Sequence, residues 1–166
     1  MNKCEYCELL ERQSQIIASS QDVVIAVKDK VVIPGQIIVF PKEHFPIMEL
    51  VPEPILQQCL ILANKVSIAV FESLGSQGTN IVVRNGLGAG QEVAHFAIEI
   101  IPRKEEDGLK LQWEPRQLPE YELERTFEQL LEGVEVAKNQ AKEVKVEPTK
   151  KKSSGDFLIK SQIRIP

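Results

Sequence analysis

Residues 89–103 read Ala-Gly-Gln-Glu-Val-Ala-His-Phe-Ala-Ile-Glu-Ile-Ile-Pro-Arg, which is the most informative segment of the sequence. From Val93 to Ile101 the residue types alternate, so that Phe96, Ile98 and Ile100 fall on one side and His95, Ala97 and Glu99 on the other. Successive side chains of a β-strand point to opposite faces of the sheet. The pattern therefore predicts a strand with one apolar face and one face of mixed chemistry, ended by Pro102.

The segments before this strand predict more strands and one helix. Residues 22–28 and 37–41 are β-rich and are separated by the turn signal Pro34-Gly35. A run with apolar residues at helical spacing begins after Val51-Pro-Glu-Pro and ends at Gly75. Residues 80–83 predict another strand, followed by a glycine-rich turn. The order β-β-α-β-β indicates an α+β domain with a mostly antiparallel sheet.

The sequence changes character after residue 113. We expect a domain over residues 1–113, a C-terminal helix over 114–144 packed on it, a charged flexible linker over 145–156 and a strand-like tail over 157–166. The tail alternates apolar and polar residues, as peptides that add a strand to a partner's sheet do. The alternative is that Phe157–Pro166 completes the sheet of its own protomer or of a second copy.

Composition excludes some classes of protein. The 166 residues carry a formal net charge of -4, which argues against dedicated nucleic-acid binding. No apolar run approaches the roughly 18 residues of a membrane helix. The first fifteen residues are too polar for a signal peptide, so we expect a cytoplasmic protein without a membrane anchor.

Four residues form a candidate metal set. Cys4 and Cys7 are spaced as C-x-x-C, and the chain has only two histidines, His44 and His95. Thiolate and imidazole groups are the usual ligands of tetrahedral zinc. The alternatives are an incidental cysteine pair or a redox motif, although a redox motif should follow a strand. Cys59 lies within the predicted helix and is expected to be a core residue.

Three segments in the order and spacing found here resemble the histidine-triad (HIT) superfamily of nucleotide hydrolases and transferases. They are Ile33–His44, ending in Pro-Lys-Glu-His, then Thr79–Gly86, and then Ala89–Arg103 with Gly-Gln-x-Val-x-His. The resemblance implies an antiparallel sheet of about five strands with two helices, and a homodimer that joins two sheets. It also implies a zinc ion, with Cys4, Cys7, His44 and His95 at the ligand positions.

The same resemblance implies that the usual chemistry is missing. The family motif His-φ-His-φ-His places three imidazoles on one face of a strand, and the middle one attacks the α-phosphorus. Here the motif reads His95-Phe-Ala97-Ile-Glu99, so alanine holds the nucleophile position and no catalytic residue is assigned. The interpretation is a non-catalytic binding or scaffold protein. The alternative is a nucleotide-binding protein or a phosphoester or phosphoanhydride hydrolase that uses Glu99 as acid/base.

Five residues form the predicted ligand pocket: Lys28, Arg84, Asn85, Gln91 and Glu99. The family's ribose-binding acid aligns with Lys28, and Arg84 stands where members have asparagine, whereas Asn85 and Gln91 are kept. Three interpretations remain open at this point. The pocket has drifted and is purely structural, or it binds a different ligand such as a nucleotide or small anion, or it supports an unconventional reaction.

Overall fold

The computed structural model describes residues 4–28, 30–111 and 113–141, and the chain divides into two units, Met1–Leu111 and Gln112–Pro166. The strands of the first unit are β1 (Ile16–Ser19), β2 (Val23–Val27), β3 (Ile37–Pro41), β4 (Gly78–Val82) and β5 (Ile98–Arg103), and its helices are α1 (Glu5–Arg12) and α2 (Glu53–Leu74). The five strands form an antiparallel sheet in the order β1-β2-β3-β5-β4. The predicted α+β class is confirmed.

The two faces of the sheet are covered by different helices. On one face Cys59, Ala63 and Val70 of α2 pack with buried residues of the sheet such as Val39 and Ile98. On the other face Tyr6 and Leu9 of α1 pack against Val24, Ile38 and Phe40. Burial of such side chains contributes roughly 1.5–3 kcal/mol each. The alternation of β5 follows this division, because Ile98 and Ile100 face α2 whereas Ala97 and Glu99 face the α1 side.

Two elements were missed, and both ends of one predicted strand were wrong. The helix α1 and the strand β1 were not predicted, since both are short and their apolar pattern is weak. The strand β5 begins at Ile98 instead of Val93, because His95 lies in a bend where the Phe96 amide donates to the Phe45 carbonyl. It also continues past Pro102, which pairs with Thr79 of β4 after the pairing with β3 has ended at Ile100. A proline is tolerated where a strand has only one neighbour.

The turn between β2 and β3 requires glycine. Gly35 has φ of +89°, and a Cβ at this position would collide with Leu74 at the end of α2. A left-handed backbone in such close contact is accessible to glycine at little cost. The turn therefore brings the start of β3, including Gln36, to a fixed place beside β5.

The helix α2 is long and apolar enough to cross a membrane by length and composition alone. Its Cys59, Ala63, Val66 and Val70 nevertheless belong to the core beneath the sheet. A second row of apolar side chains on the same helix is exposed, namely Leu60, Ile61, Ile68 and Phe71. The helix is thus a core element with a second apolar face, which explains its high hydropathy.

The second unit contains α3 (Glu120–Ala141), which confirms the predicted C-terminal helix. Its Leu123, Phe127, Leu130 and Val134 are exposed. The packing of this helix on the domain stays a prediction. The expected linker 145–156 and tail 157–166 lie outside the described residues.

Candidate metal centre and adjoining cavity

Three separate segments of the chain bring four metal-ligating side chains together. Cys4 precedes α1 and Cys7 lies in its first turn, His44 follows β3, and His95 precedes β5. The ligand atoms of all four lie within 4.8 Å of one another. The His95 Nδ1 lies 3.4 Å from Cys4 Sγ and 3.7 Å from Cys7 Sγ, and the His44 Nδ1 lies 3.4 Å from Cys7 Sγ. The structure thus brings together the four predicted metal ligands.

These spacings fit a tetrahedral metal site. Bonds of about 2.3 Å to sulfur and about 2.0 Å to nitrogen give a tetrahedron with edges of about 3.3–3.8 Å. The three sulfur–nitrogen distances, 3.4, 3.4 and 3.7 Å, fall in this range. The donor set of two thiols and two imidazoles therefore suits one four-coordinate ion.

His95 is held ready to use Nδ1 as a ligand. Its Nε2 lies 2.9 Å from the Pro41 carbonyl oxygen, which can only accept, so Nε2 carries the proton and Nδ1 has a free lone pair. Burial lowers the pKa of His95 to about 4, which keeps the imidazole neutral. A neutral imidazole is the form that binds a metal.

The Cys7 thiol needs a metal in order to ionise at neutral pH. Burial, together with the neighbouring Cys4, raises the pKa of the Cys7 thiol to about 11. A thiol in this state stays protonated at neutral pH and is a poor nucleophile. A bound cation would displace the proton, so the surroundings favour metal binding over free thiolate chemistry.

An open cavity of about 280 Å³ adjoins the cluster. It lies on the α1 side of the sheet, where His95, Ala97 and Glu99 all contribute to its wall. The full lining consists of Tyr6, Lys28, Lys30, Val31, Val32, Gln36, Arg84, Gly90, Gln91, Glu92, Val93, His95, Ala97 and Glu99. Four of the five predicted pocket residues are therefore brought together, and Asn85 is not among them.

Glu99 is the centre of a buried polar cluster. Its Oε1 lies 3.5 Å from Lys28 Nζ, and its Oε2 accepts hydrogen bonds from Arg84 NH1 at 2.5 Å and Gln36 Nε2 at 2.8 Å. The side chains of Glu99 and Lys28 are only 10% and 11% exposed, respectively. Buried charges require such partners, because an unpaired ion in this environment is strongly destabilising.

The side chains of Gln91 and Asn85 hydrogen-bond to backbone groups of neighbouring loops and order them. The Gln91 side chain accepts from the Gly86 amide and donates to the carbonyls of Pro46 and Val93. Asn85 accepts from the Met48 amide at 2.8 Å and donates to Glu49 at 2.7 Å. The bonds of Asn85 fix the short 3₁₀ turn Met48–Leu50, which accounts for its place outside the cavity lining.

Sequence reasoning missed Gln36 and Tyr6. Gln36 is 2% exposed and contacts Glu99, and its only sequence signal is its position directly after the Pro34-Gly35 turn. Tyr6, inside the C-x-x-C motif, packs its ring 5.2 Å from that of Phe40 and 5.7 Å from that of His95. Tyr6 thus belongs both to the wall of the cavity and to the surroundings of the metal cluster.

Ala97 offers the cavity a methyl group between His95 and Glu99. Covalent catalysis needs a side chain with a lone pair within reach of the substrate, and Ala97 has none. Ala97 therefore contributes only apolar contact to the cavity wall. Burial raises the pKa of the Tyr6 hydroxyl above its ordinary value, so that group stays protonated.

Comparison with known proteins identifies the family. The family model of the HIT domain matches residues 10–106, which is more than half of the chain. The chain belongs to the HIT family. The histidine-triad resemblance in residues 33–44, 79–86 and 89–103 is thereby confirmed.

Among curated HIT relatives, the Arabidopsis thaliana adenylylsulfatase is 31% identical over 110 residues, covering 65% of this chain and 56% of the relative. A bis(5'-adenosyl)-triphosphatase of Dictyostelium discoideum is 33% identical over 98 residues, covering 59% of this chain and 66% of the relative. The chain thus spans little more than half the length of the plant relative.

Among solved structures, a Zn-bound histidine triad family protein from Mycobacterium smegmatis aligns with a TM-score of 0.61 and 21% identity. The alignment covers 69% of this chain and 84% of that one. At this identity the likeness shows the fold alone, and the fold is the one described above.

Proposed function

We propose that this HIT protein is a zinc-stabilised binding protein that lacks the nucleotide-transfer chemistry of its family. The observation that carries the proposal is the cavity wall itself. Ala97 stands at the position of the attacking imidazole, and Glu99 two residues later is tied to Lys28 and Arg84.

Zinc is the metal that the cluster suits best. Two thiols and two imidazoles at tetrahedral spacing match structural zinc sites, in which four protein ligands leave no open coordination position. The Zn-bound relative from Mycobacterium smegmatis supports the assignment. Bound there, zinc supplies a cross-link between α1, the segment after β3 and the segment before β5.

The first test measures metal and turnover on the same purified chain. We expect about one equivalent of zinc by plasma mass spectrometry, and no turnover of adenylyl sulfate or diadenosine triphosphate above the buffer control. Absence of bound zinc, or clear turnover by the wild type, would contradict the proposal. The double variant Ala97→His with Glu99→His is the positive control in the turnover assay, because it restores three imidazoles to one face. Turnover by this variant alone would show that the fold supports the reaction once the imidazoles are present.

The second candidate is a nucleotide hydrolase that works through Glu99. The names of the Arabidopsis and Dictyostelium relatives support activity on adenylyl compounds. Both carboxylate oxygens of Glu99, however, are already engaged by cations and by Gln36. Wild-type turnover that disappears in Glu99→Gln would establish this candidate instead.

We also propose a homodimer built through β4 and α2. β4 is an edge strand of the described sheet, and its Ile81 is exposed. The exposed apolar row of α2, including Ile68 and Phe71, adds surface that water disfavours. Sedimentation velocity should give a dimer for the wild type and a monomer for Ile68→Glu. A monomeric wild type at micromolar concentration would contradict this proposal.

Cytoplasmic location is likewise a proposal. The three cysteines are free, and two of them lie in the metal cluster, which requires reduced thiols. Cell fractionation of a tagged full chain would test it, with recovery in the membrane or secreted fraction counting against it.

A further inference from the structure

The cavity holds an internal anion, and this changes which ligand it can accept. Glu99 lies among Lys28, Arg84 and Gln36, in the place where cationic and amide groups would otherwise meet the oxygens of a ligand. The fixed carboxylate therefore offsets one of the two positive charges of the cluster before any ligand enters.

The summed charge of all described lining residues agrees with this partial offset. Three cationic side chains, Lys28, Lys30 and Arg84, face two acidic ones, Glu92 and Glu99, so the lining carries a net charge of +1. The adjoining metal cluster would leave the sum unchanged, since two thiolates offset the two charges of a zinc ion. One negative charge brought by a ligand would make the cavity neutral.

A hydrogen-bond donor in the wall is left without a partner. The Tyr6 side chain is only 3% exposed and lines the cavity, and its hydroxyl makes no hydrogen bond to any residue that the structure describes. Because this hydroxyl is not a fully enclosed atom and lines the cavity, it is available to donate to the oxygen of a ligand there. Lys28 and Arg84 also have further N–H groups beyond those that contact Glu99.

One part of the wall is apolar. Val31 and Val32 are 40% and 56% exposed and both line the cavity, together with Val93. The volume of about 280 Å³ is just below the range for small-molecule sites, roughly 300–1,000 Å³. The site therefore suits a small molecule with one polar end and one apolar end.

We propose that this cavity binds a singly charged oxyanion attached to an apolar group, with Tyr6, Lys28 and Arg84 receiving the oxyanion and Val31 and Val32 the apolar part. A phosphate dianion fits less well. Its attraction to the lining grows in proportion to its charge, whereas its desolvation cost grows with the square of that charge. This proposal rests on the proposed binding function and names its ligand class.

A matched set of phenyl compounds tests the proposal by titration calorimetry on the zinc-loaded chain. Benzoate and methyl phenyl phosphate carry one negative charge, benzamide carries none, and phenyl phosphate carries about two at about pH 8. We expect both monoanions to bind at least about threefold more tightly than phenyl phosphate and benzamide. If benzoate binds more tightly, the oxyanion of the ligand is a carboxylate; if methyl phenyl phosphate binds more tightly, it is a phosphodiester.

Two variants test separately the effect of the Glu99 charge and the effect of the Tyr6 hydroxyl on ligand affinity. Glu99→Gln raises the net charge of the lining, so phenyl phosphate should become the tightest ligand, with a gain of at least about tenfold. Tyr6→Phe removes only the hydroxyl and should weaken benzoate about tenfold. Glu72→Gln, which makes the same charge change at an exposed position on α2, should leave every affinity unaltered.

Several results would overturn the proposal: tighter binding of phenyl phosphate than of benzoate by the wild type, equal binding of benzoate and benzamide, or no binding by any compound. If Glu99→Gln fails to fold, the Tyr6→Phe comparison still decides. Failure here is distinguishable from failure of the proposed function, because zinc content and turnover are measured without these compounds.

Discussion

Residues 95–99 run between two polar clusters, and the two clusters satisfy their groups in different ways. At His95 the donors converge on a point between them, because Cys4, Cys7, His44 and His95 all lie at metal-binding distance. At Glu99 the charged groups converge on each other, because Lys28, Arg84 and Gln36 contact the carboxylate directly. The donors of the first cluster are arranged to share a metal ion, whereas the charges of the second are already paired within the protein. One end of this segment therefore suits a cofactor, and the other keeps only its spare N–H groups for a ligand.

The largest effect should come from removing the first cluster. Cys4→Ser with Cys7→Ser eliminates two zinc ligands, and we expect loss of the metal and a decrease in the free energy of unfolding on the order of 5 kcal/mol. Cys59→Ala is the matched control, because Cys59 is a buried cysteine of the core. It should keep its zinc and lose only about 1–2 kcal/mol. Equal urea midpoints for the double variant and the wild type would refute the structural role.

Breaking the second cluster should have a smaller effect. Glu99→Ala leaves Lys28 buried without its counter-ion, and we expect a loss of about 3 kcal/mol, moderated because Arg84 is 30% exposed. Glu8→Ala removes the exposed Glu8–Arg12 pair instead and should cost under about 0.5 kcal/mol. If both substitutions changed the urea midpoint equally, the cluster at Glu99 would be no more than a surface ion pair.

The pH dependence of the free energy of unfolding should further distinguish the cluster at His95 from the cluster at Glu99. In metal-free protein the pKa of His95 is about 4 in the folded state and 6.5 unfolded, so the unfolded chain binds more protons between these values. Stability is therefore fully present above about pH 6.5 and falls as the pH decreases toward about 4, by on the order of 2 kcal/mol. Unfolding in a chelator should show this loss in the wild type and a shallower one in His95→Asn. Parallel curves would contradict the assignment to His95.

The smallest effect concerns Asn85, which lies outside the cavity lining. Asn85→Ala removes the two hydrogen bonds to Met48 and Glu49, and we expect a loss of about 1 kcal/mol. Benzoate binding should be unchanged, because the Asn85 side chain serves the 3₁₀ turn. A marked decrease in affinity would return Asn85 to the ligand site.

The metal cluster could be predicted from the sequence because its residue types are rare in this chain. The C-x-x-C pair and the two histidines left alternatives open by spacing alone, and the HIT resemblance then selected them as one ligand set. The alternation of Ile98, Glu99 and Ile100 was also predictable, since it depends on the strand period, whereas His95 reaches the same cavity from a bend before β5. These features are local, or depend on counts of scarce residues.

The positions of Gln36, Tyr6 and Asn85 could not be predicted, because they depend on tertiary contacts that leave no local pattern in the sequence. Gln36 contacts Glu99 across 63 positions of sequence. Tyr6 was hidden inside the metal motif, and its contribution to the cavity follows from the placement of α1. Asn85 was assigned to the pocket by resemblance, although its side chain is occupied by Met48 and Glu49. Hydrogen-bond partners of this kind are decided by packing.

The short helix α1 has a consequence for how the protein responds to its surroundings. It has eight residues, and a helix of that length is marginal in water by itself. The contact between Cys4 and His95 closes a loop of 91 positions, so a bound ion would cross-link the residue before α1 to the segment before β5, much as a disulfide would. Because Tyr6 of this helix forms part of the cavity wall, the fraction of molecules with a finished cavity should follow the free zinc concentration. Zinc binding would then increase the fraction of molecules that can bind the ligand. By thermodynamic linkage, ligand binding should in turn increase the affinity for zinc.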